Sequence, residues 1–275
     1  MTNILVIGSS GMTGRRLVPL LAARDVRVRA TRRTPAAGDT RFLWEDPSTH
    51  APAFAGIDAM YLVPPPLVAA PAAVVAPALA SARAAGVTRV VLCSSLGVEL
   101  SPGPVRAGWR ALEAAIVDSG LAWTILRPGG FAQNFTEGFL APGVRQGTVA
   151  SAAGEGAAAF IDAADIAAVA AAALLDASHA GATYALTGPA ALTFRQALDV
   201  VGELAGRSVD YRAITSAEMA RMLGGFGVPQ DYAAMIVADQ DAIREGRGAR
   251  VSGDVARVLG RPATPFATAI ARDGT

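Results

Sequence analysis

Residues 3–17, NILVIGSSGMTGRRL, decide the fold. The run 3–7 reads as a short buried strand, and the residues from Met12 read as the start of a helix over 12–23. Between them stand Gly8, Gly11 and Gly14, each three residues from the next. Glycine at 8 permits a tight turn after the strand. Glycine at 11 lets the backbone approach a pyrophosphate, and glycine at 14 lets helix and strand pack closely. The peptide N–H groups of about Ser10, Gly11, Met12 and Thr13 would then point at phosphate oxygens, with the positive end of the helix dipole behind them. A plain glycine turn with no ligand is the alternative. The strand before and the helix after favour a dinucleotide site.

Working outward, strands are expected at 26–30, 41–44, 58–63, 89–94 and 122–127, with helices at 68–85 and 105–119. This alternation implies parallel strands joined by right-handed crossovers. The expected fold is α/β: a Rossmann doubly wound parallel sheet. Past Pro128 the pattern changes. Residues 129–160 are rich in Gly, Phe and Ala with little period. A helix follows at 162–175, a last strand at 182–188, and helices at 193–205, 216–223, 229–245 and 252–259. The expected organisation is an NAD(P)-binding body over 1–190, with 129–160 as its substrate-side segment, and a small, mostly helical C-terminal substrate lobe over 191–275.

Length and composition set the limits. A chain of 275 residues can bury a sizeable core, and 52% apolar residues argue against disorder. A net charge of +1 gives no electrostatic reason to expect nucleic acid or an anionic membrane. The longest apolar stretch is broken by Pro71 and Pro77, short of the roughly 20 clean residues of a membrane span. The N-terminal run lacks a charged leader region and reads as a strand, not a signal peptide. One cysteine, Cys93, cannot form an internal disulfide, and no Cys/His cluster of metal-binding type is present, so no metal is expected. His50 and His179 are expected in surface loops, the basic run 244–250 in a solvated loop, and Asp162 and Asp165 as structural acids opening a helix. The resulting expectation is a cytoplasmic protein, monomer or homodimer, acting on a small organic molecule.

The second strand ends in ATRRTP. An NAD site usually places Asp or Glu there to hold the ribose 2′-hydroxyl. Here stand Arg32 and Arg33, whose guanidinium groups suit a 2′-phosphate. NADP(H) is therefore favoured over NAD(H), with the two arginines taken as a pair.

The spacing G-x-x-G-x-x-G resembles the extended and atypical short-chain dehydrogenases. The blocks GSSGMTGRRL, AMYLVPPP, RVVLCSS, ALEAAIVDSGLAWTILRPGGFAQNF and FIDAADIAAVAAAAL together resemble the NmrA-like atypical short-chain dehydrogenase/reductase family. ALTFRQALDVVGELAGR and GVPQDYAAMI look like its ergot-alkaloid branch, the agroclavine and festuclavine dehydrogenases. The resemblance runs over nearly the whole chain. It implies an NADP-binding fold, an active reductase in many members and a cofactor sensor in some. It places Val63 and Pro64 on the adenosine and ribose side, Ser94 and Ser95 near the nicotinamide ribose, and Pro128, Gly129 and Phe131 beside the nicotinamide. Each has a structural alternative: strand ends, caps and an ordinary turn.

Typical members of the superfamily use a tyrosine four residues before a lysine. This chain has no lysine, and none of Tyr61, Tyr184, Tyr211 and Tyr232 lies in the corresponding helix, where Val105 and Trp109 fall at the two positions. No catalytic side chain is therefore assigned. Hydride addition to a carbonyl needs a proton donor or an oxyanion stabiliser. An iminium carbon does not, since its reduction gives a neutral amine directly, and a quinone-like acceptor can take its proton from water. The expected activity is reduction of such a hydrophobic acceptor, with NADP(H)-dependent sensing without turnover as the alternative, and a cofactor-free scaffold as a third. Candidates for the substrate wall are Trp109, Phe131, Asn134, Phe135 and Phe160; core packing is the favoured reading of Phe135 and Phe160.

Overall fold

The computed structural model describes residues 1–35 and 38–274, so residue 275 of the expected C-terminal lobe lies outside the described residues. In chain order the elements are β1 (Thr2–Val6), α1 (Gly14–Ala22), β2 (Val26–Arg32), β3 (Thr40–Arg41), α2 (His50–Phe54), β4 (Ala59–Leu62), α3 (Ala72–Ala84), β5 (Arg89–Cys93), α4 (Gly97–Leu100), α5 (Ala107–Val117) and β6 (Ala122–Pro128). There follow α6 (Ala141–Gln146), β7 (Thr148–Ser151), β8 (Ala157–Ala158), α7 (Ala163–Leu175), β9 (Ala182–Leu186), β10 (Leu192–Thr193), α8 (Phe194–Ala205), β11 (Asp210–Ala213), α9 (Ser216–Gly225), α10 (Gln230–Arg244), α11 (Asp254–Leu259) and α12 (Phe266–Asp273).

Contacts divide the chain into two units. One holds Met1–Ser95, Ala107–Arg127 and Ile166–Tyr184; the other holds Leu96–Arg106, Pro128–Asp165 and Ala185–Thr275. The division differs from a single boundary after residue 190. Residues 96–106 and 128–165 find their partners C-terminally: Arg106 pairs with Asp239, and Phe135 packs on Phe194 and Phe266.

The first unit is built on a seven-stranded sheet of order β3-β2-β1-β4-β5-β6-β9. Strand β1 pairs in parallel with β2 and β4, β2 with β3, β4 with β5, and β5 with β6. The chain steps outward from β1 to β3, then restarts on the other side of β1 with β4. That reversal puts a crevice beyond the carboxyl ends of β1 and β4, where doubly wound sheets bind ligands. All four residues of β4 are buried, as expected of a parallel strand covered on both faces. Leu5, Leu62, Val90, Leu92 and Ile125 of the sheet form one core with Val75 and Leu79 of α3 and Leu112 and Ile116 of α5.

Three local expectations change. The strand expected at 41–44 is only Thr40–Arg41. Phe42 turns into the core instead, edge-on to Trp44 at 4.9 Å and stacked on His50 at 4.9 Å. His50 is accordingly not in a surface loop: it is fully buried at the start of α2, and its Nε2 lies 2.9 Å from the Leu43 carbonyl, to which it donates. The helix expected from residue 68 begins at Ala72, after Pro71. A proline disfavours helix in the residue before it, and Leu67, just past three prolines, holds a left-handed φ of 60°.

The second unit is helical with two small sheets. The segment 129–160, aperiodic in sequence, holds α6 and two short strands. Strand β7 pairs in parallel with β11, and β8 antiparallel with β10. Its core centres on Phe135, Phe160, Phe194 and Phe266. Asp162 and Asp165 are buried and multiply bonded. Asp162 accepts from the Ala164 N–H (2.9 Å), Gln133 Nε2 (3.1 Å) and Arg272 (2.6 Å), and Asp165 from the Thr264 N–H (2.6 Å) and Arg261 (2.7 Å). These bonds hold the segment leading into α12. Arg106, buried, and Asp239, partly buried, form an ion pair joined by Ser101 over Gly97. Burial raises the Asp239 carboxyl even with that arginine beside it. The basic run 244–250 is more than a solvated loop, since Arg247 Nε donates to the Leu100 carbonyl at 2.9 Å and Arg250 pairs with Glu99 at 3.3 Å.

Three outcomes follow from the packing of the two units. A Cβ on Gly14 would sit 2.2 Å from the Gly8 carbonyl oxygen, a backbone atom that cannot yield. Gly14→Ala should lose at least about 3 kcal/mol in urea unfolding or fail to fold. Gly224→Ala, on an open face of α9, should be neutral or stabilising by up to about 1 kcal/mol. Burial also pushes the Cys93 thiol up to about 11, although a hydrogen bond with Tyr61 opposes the shift. At pH 8 native protein should therefore resist iodoacetamide at least ~100-fold better than the urea-unfolded chain. Equal labelling rates would contradict an inert core thiol.

Candidate functional site

The glycine turn is shaped by three close approaches. Gly8, two residues past the end of β1, has a left-handed φ of 80°, and a Cβ there would lie 3.2 Å from Cβ of Val63, so the residue after β4 closes the turn from the side. Gly14 packs directly under the Gly8 carbonyl, as helix–strand closeness requires. At Gly11 the situation differs: its N–H donates to the Gly8 carbonyl at 2.9 Å, so this amide is engaged within the turn. The amides of Ser10, Met12 and Thr13 have no acceptor among the described residues. The donor set is thus three amides of the 10–13 stretch and not all four.

Side chains hold the turn from behind. Ser9 Oγ donates to the Thr31 carbonyl at 2.7 Å, and Thr31 Oγ1 donates to the Val6 carbonyl at 3.2 Å. Tyr61, on β4 and fully buried, donates its hydroxyl to Thr13 Oγ1 at 2.9 Å. Burial raises the Tyr61 phenol well above its ordinary range, so it stays protonated as a donor. Thr13 makes no side-chain cap to α1, and the first turn of that helix carries no acid. No carboxylate of this helix therefore competes with an anion for the positive end of its dipole.

Arg32 ends β2 and Arg33 follows it, both exposed. Arg32 has a partner that the sequence reading missed: its Nε lies 2.8 Å from Oδ2 of Asp39. The acid is absent from the strand end itself but returns seven residues later through the loop to β3. Arg33 has no ion pair among the described residues. Val63 is half-buried and Pro64 buried, directly after β4.

Ser94 follows β5 and is buried, with Ser95 half-buried beside it. The Ser94 hydroxyl donates to Glu113 Oε1 at 2.5 Å. Glu113, on the buried face of α5, is held by Arg127 of β6 through Nε to Oε1 (3.0 Å) and Nη2 to Oε2 (2.6 Å). This buried triad was not foreseen. A charged residue on the apolar face of a helix, with an arginine near the end of the next strand, is the signal that could have found it.

In place of a tyrosine–lysine pair, α5 carries Trp109, only 9% exposed, and Val105 falls outside the helix, in the 3-10 turn Pro104–Arg106. The other tyrosines lie elsewhere. The hydroxyl of Tyr184 is 2.7 Å from Nδ1 of His179, Tyr211 donates to the Gly154 carbonyl at 2.8 Å, and Tyr232 is half-buried on α10.

The second unit carries the remaining candidates. Pro128 ends β6. The Gly129 N–H donates to the Leu186 carbonyl at 2.9 Å, and Phe131 bridges to Ile161 while staying partly exposed. The Asn134 backbone ties its loop through Phe131 and Leu140, and its side-chain amide has no partner among the described residues. Phe135 is 1% exposed, with ring centroids 5.1 Å from Phe160 and 5.3 Å from Phe266. Phe160 meets Phe194 at 5.5 Å. Core packing accounts for both rings; of the five wall candidates, Phe131 and Asn134 are the two with surface to offer. No group of three metal-ligating side chains occurs among the described residues, and no helix is long and apolar enough to cross a membrane.

Comparison with known proteins agrees with this geometry. The model of a family described as NAD(P)H-binding matches residues 8–177, from the first glycine through α7. An NAD(P)H azoreductase of Xenophilus azovorans is 33% identical over 96% of this chain and 95% of its own. Festuclavine synthase I of Penicillium roqueforti is 30% identical over 97% and 96%. The structure of the Escherichia coli NADPH-dependent quinone oxidoreductase, solved with NADPH, superposes with a TM-score of 0.81 at 26% identity, over 96% of this chain and 97% of that one. With the glycine turn at the switch point and these full-length matches, the chain belongs to the NAD(P)H-binding family.

Proposed function

We propose that this protein is an NADPH-dependent reductase that delivers hydride to a small hydrophobic acceptor of the iminium or quinone class. The carrying observation is a contrast. The glycine turn of the first unit leaves three amides without an acceptor among the described residues, while α5 has no tyrosine and the chain no lysine. Bound NADPH supplies the hydride. The chain's own residues bind and orient. The amides of Ser10, Met12 and Thr13 and the dipole of α1 take the pyrophosphate, Arg32 and Arg33 take the 2′-phosphate, and Val63 and Pro64 flank the adenosine side. Ser94 and Ser95 of the first unit border the nicotinamide half, and the family resemblance assigns Pro128, Gly129 and Phe131 of the second unit to the nicotinamide as well. Partly exposed Phe131 and the free amide of Asn134 suit a flat organic molecule with one polar handle. Such a site works by positioning, which suffices where the acceptor carbon is already cationic or the product takes its proton from water. The names of the azoreductase, festuclavine synthase and quinone oxidoreductase relatives support this acceptor range.

The missing pair equally motivates a second reading, an NADP(H)-binding regulator without turnover. Steady NADPH oxidation with a panel of cyclic imines and quinones separates the two: turnover supports the reductase, while tight binding that differs between NADP and NADPH with no turnover supports the regulator. For the cofactor, replacing Arg32 and Arg33 together by Ala should weaken NADPH roughly 10- to 100-fold and NADH less than about 3-fold in binding titrations. Equal losses would remove the 2′-phosphate role.

A further inference from the structure

The triad beneath β5 has a direction built into it. A serine hydroxyl has one proton and two lone pairs. Glu113, gripped at both oxygens by Arg127, is a carboxylate and can only accept. The 2.5 Å contact to Ser94 Oγ must therefore use the serine proton. The Ser94 N–H is committed as well, to the Leu126 carbonyl at 2.7 Å, so the residue is fixed through backbone and side chain together. What remains of its polar capacity is the lone pairs of Oγ, at the carboxyl end of a central strand and with the residue only 5% exposed.

We propose that Glu113 and Arg127 are positioning residues that make Ser94 an acceptor-only hydroxyl, which takes a hydrogen bond from a ribose hydroxyl of the nicotinamide half of the cofactor and has no proton to give to a reduced substrate. This inference rests on the cofactor reading above and adds to it. A serine held in this way is excluded as the missing acid, because its proton is engaged by a buried carboxylate. It binds; it does not protonate. The product's proton, where one is needed, comes from solvent.

The test uses the full chain and two probes, NADPH and 2′,5′-ADP, which keeps the 2′-phosphate end but lacks the nicotinamide nucleoside. Dissociation constants are measured by equilibrium dialysis for the wild type, Ser94→Ala, Glu113→Gln and the double variant. Ser94→Ala should weaken NADPH about 3- to 10-fold and leave 2′,5′-ADP within about 2-fold. Glu113→Gln should show the same selective loss, and the double variant should be no weaker than the worse single one, because both changes remove one contact. Losses equal on both probes, no loss on either, or additive losses in the double variant would overturn the proposal. If Glu113→Gln does not fold because Arg127 is left unpaired, Glu113→Gln with Arg127→Met removes both charges together, and Ser94→Ala alone still decides the selectivity. A wild type that fails to bind either probe overturns the cofactor reading itself, a result distinct from binding that ignores Ser94.

Discussion

The carbonyl of Gly8 sits where a side chain of residue 14 would otherwise be. Everything at the carboxyl edge of the first sheet follows from that contact. It fixes how near α1 starts to the end of β1, and that distance decides which amides of the intervening turn face outward. The turn is then locked by neighbours that no glycine pattern specifies: Val63 against Gly8, the Ser9–Thr31 bond on one flank and the Tyr61–Thr13 bond on the other. The outward amides are thereby held as fixed donors, and the rigidity of the turn comes from the strands beside it.

Much of this was legible in the sequence because it is local. A strand, three spaced glycines and a helix have few other ways to fold, and the alternation of elements leaves little freedom for the sheet. What the sequence hid was long-range. Asp39 reaches Arg32 only through the loop between β2 and β3. Ser94, Glu113 and Arg127 come from β5, α5 and β6 and are adjacent only once the strands are in register. His50 looked like a loop residue because its polarity suggested solvent, yet its ring stacks on Phe42 and its donor is satisfied by a backbone carbonyl. The strand expected at 41–44 failed for a related reason: Phe42 and Trp44 are apolar because they fill a core, not because they alternate across a pleat.

The second unit was the harder half to read. Its segment 129–160 has no sustained period because its elements are short and are paired with strands from far along the chain, β7 with β11 and β8 with β10. The acids at its edge were read as structural, and the bonds of Asp162 to Gln133 and Arg272, and of Asp165 to Arg261 and Thr264, give that reading its partners. The absence of a tyrosine and lysine on α5 was visible at once. That Glu113 of the same helix is held by Arg127 of β6 and accepts the Ser94 hydroxyl was not.

The four phenylalanines at the centre of the second unit come from widely separated segments, at residues 135, 160, 194 and 266. Phe266 opens α12, and Arg272 of the same helix reaches back to Asp162. On the ribosome this core therefore cannot close until residues 266–273 have cleared the exit tunnel, whereas most strands of the first sheet are complete much earlier. The nascent chain passes through a stage with three aromatic rings still waiting for their fourth, and it is in that interval that a chaperone would find apolar surface to hold.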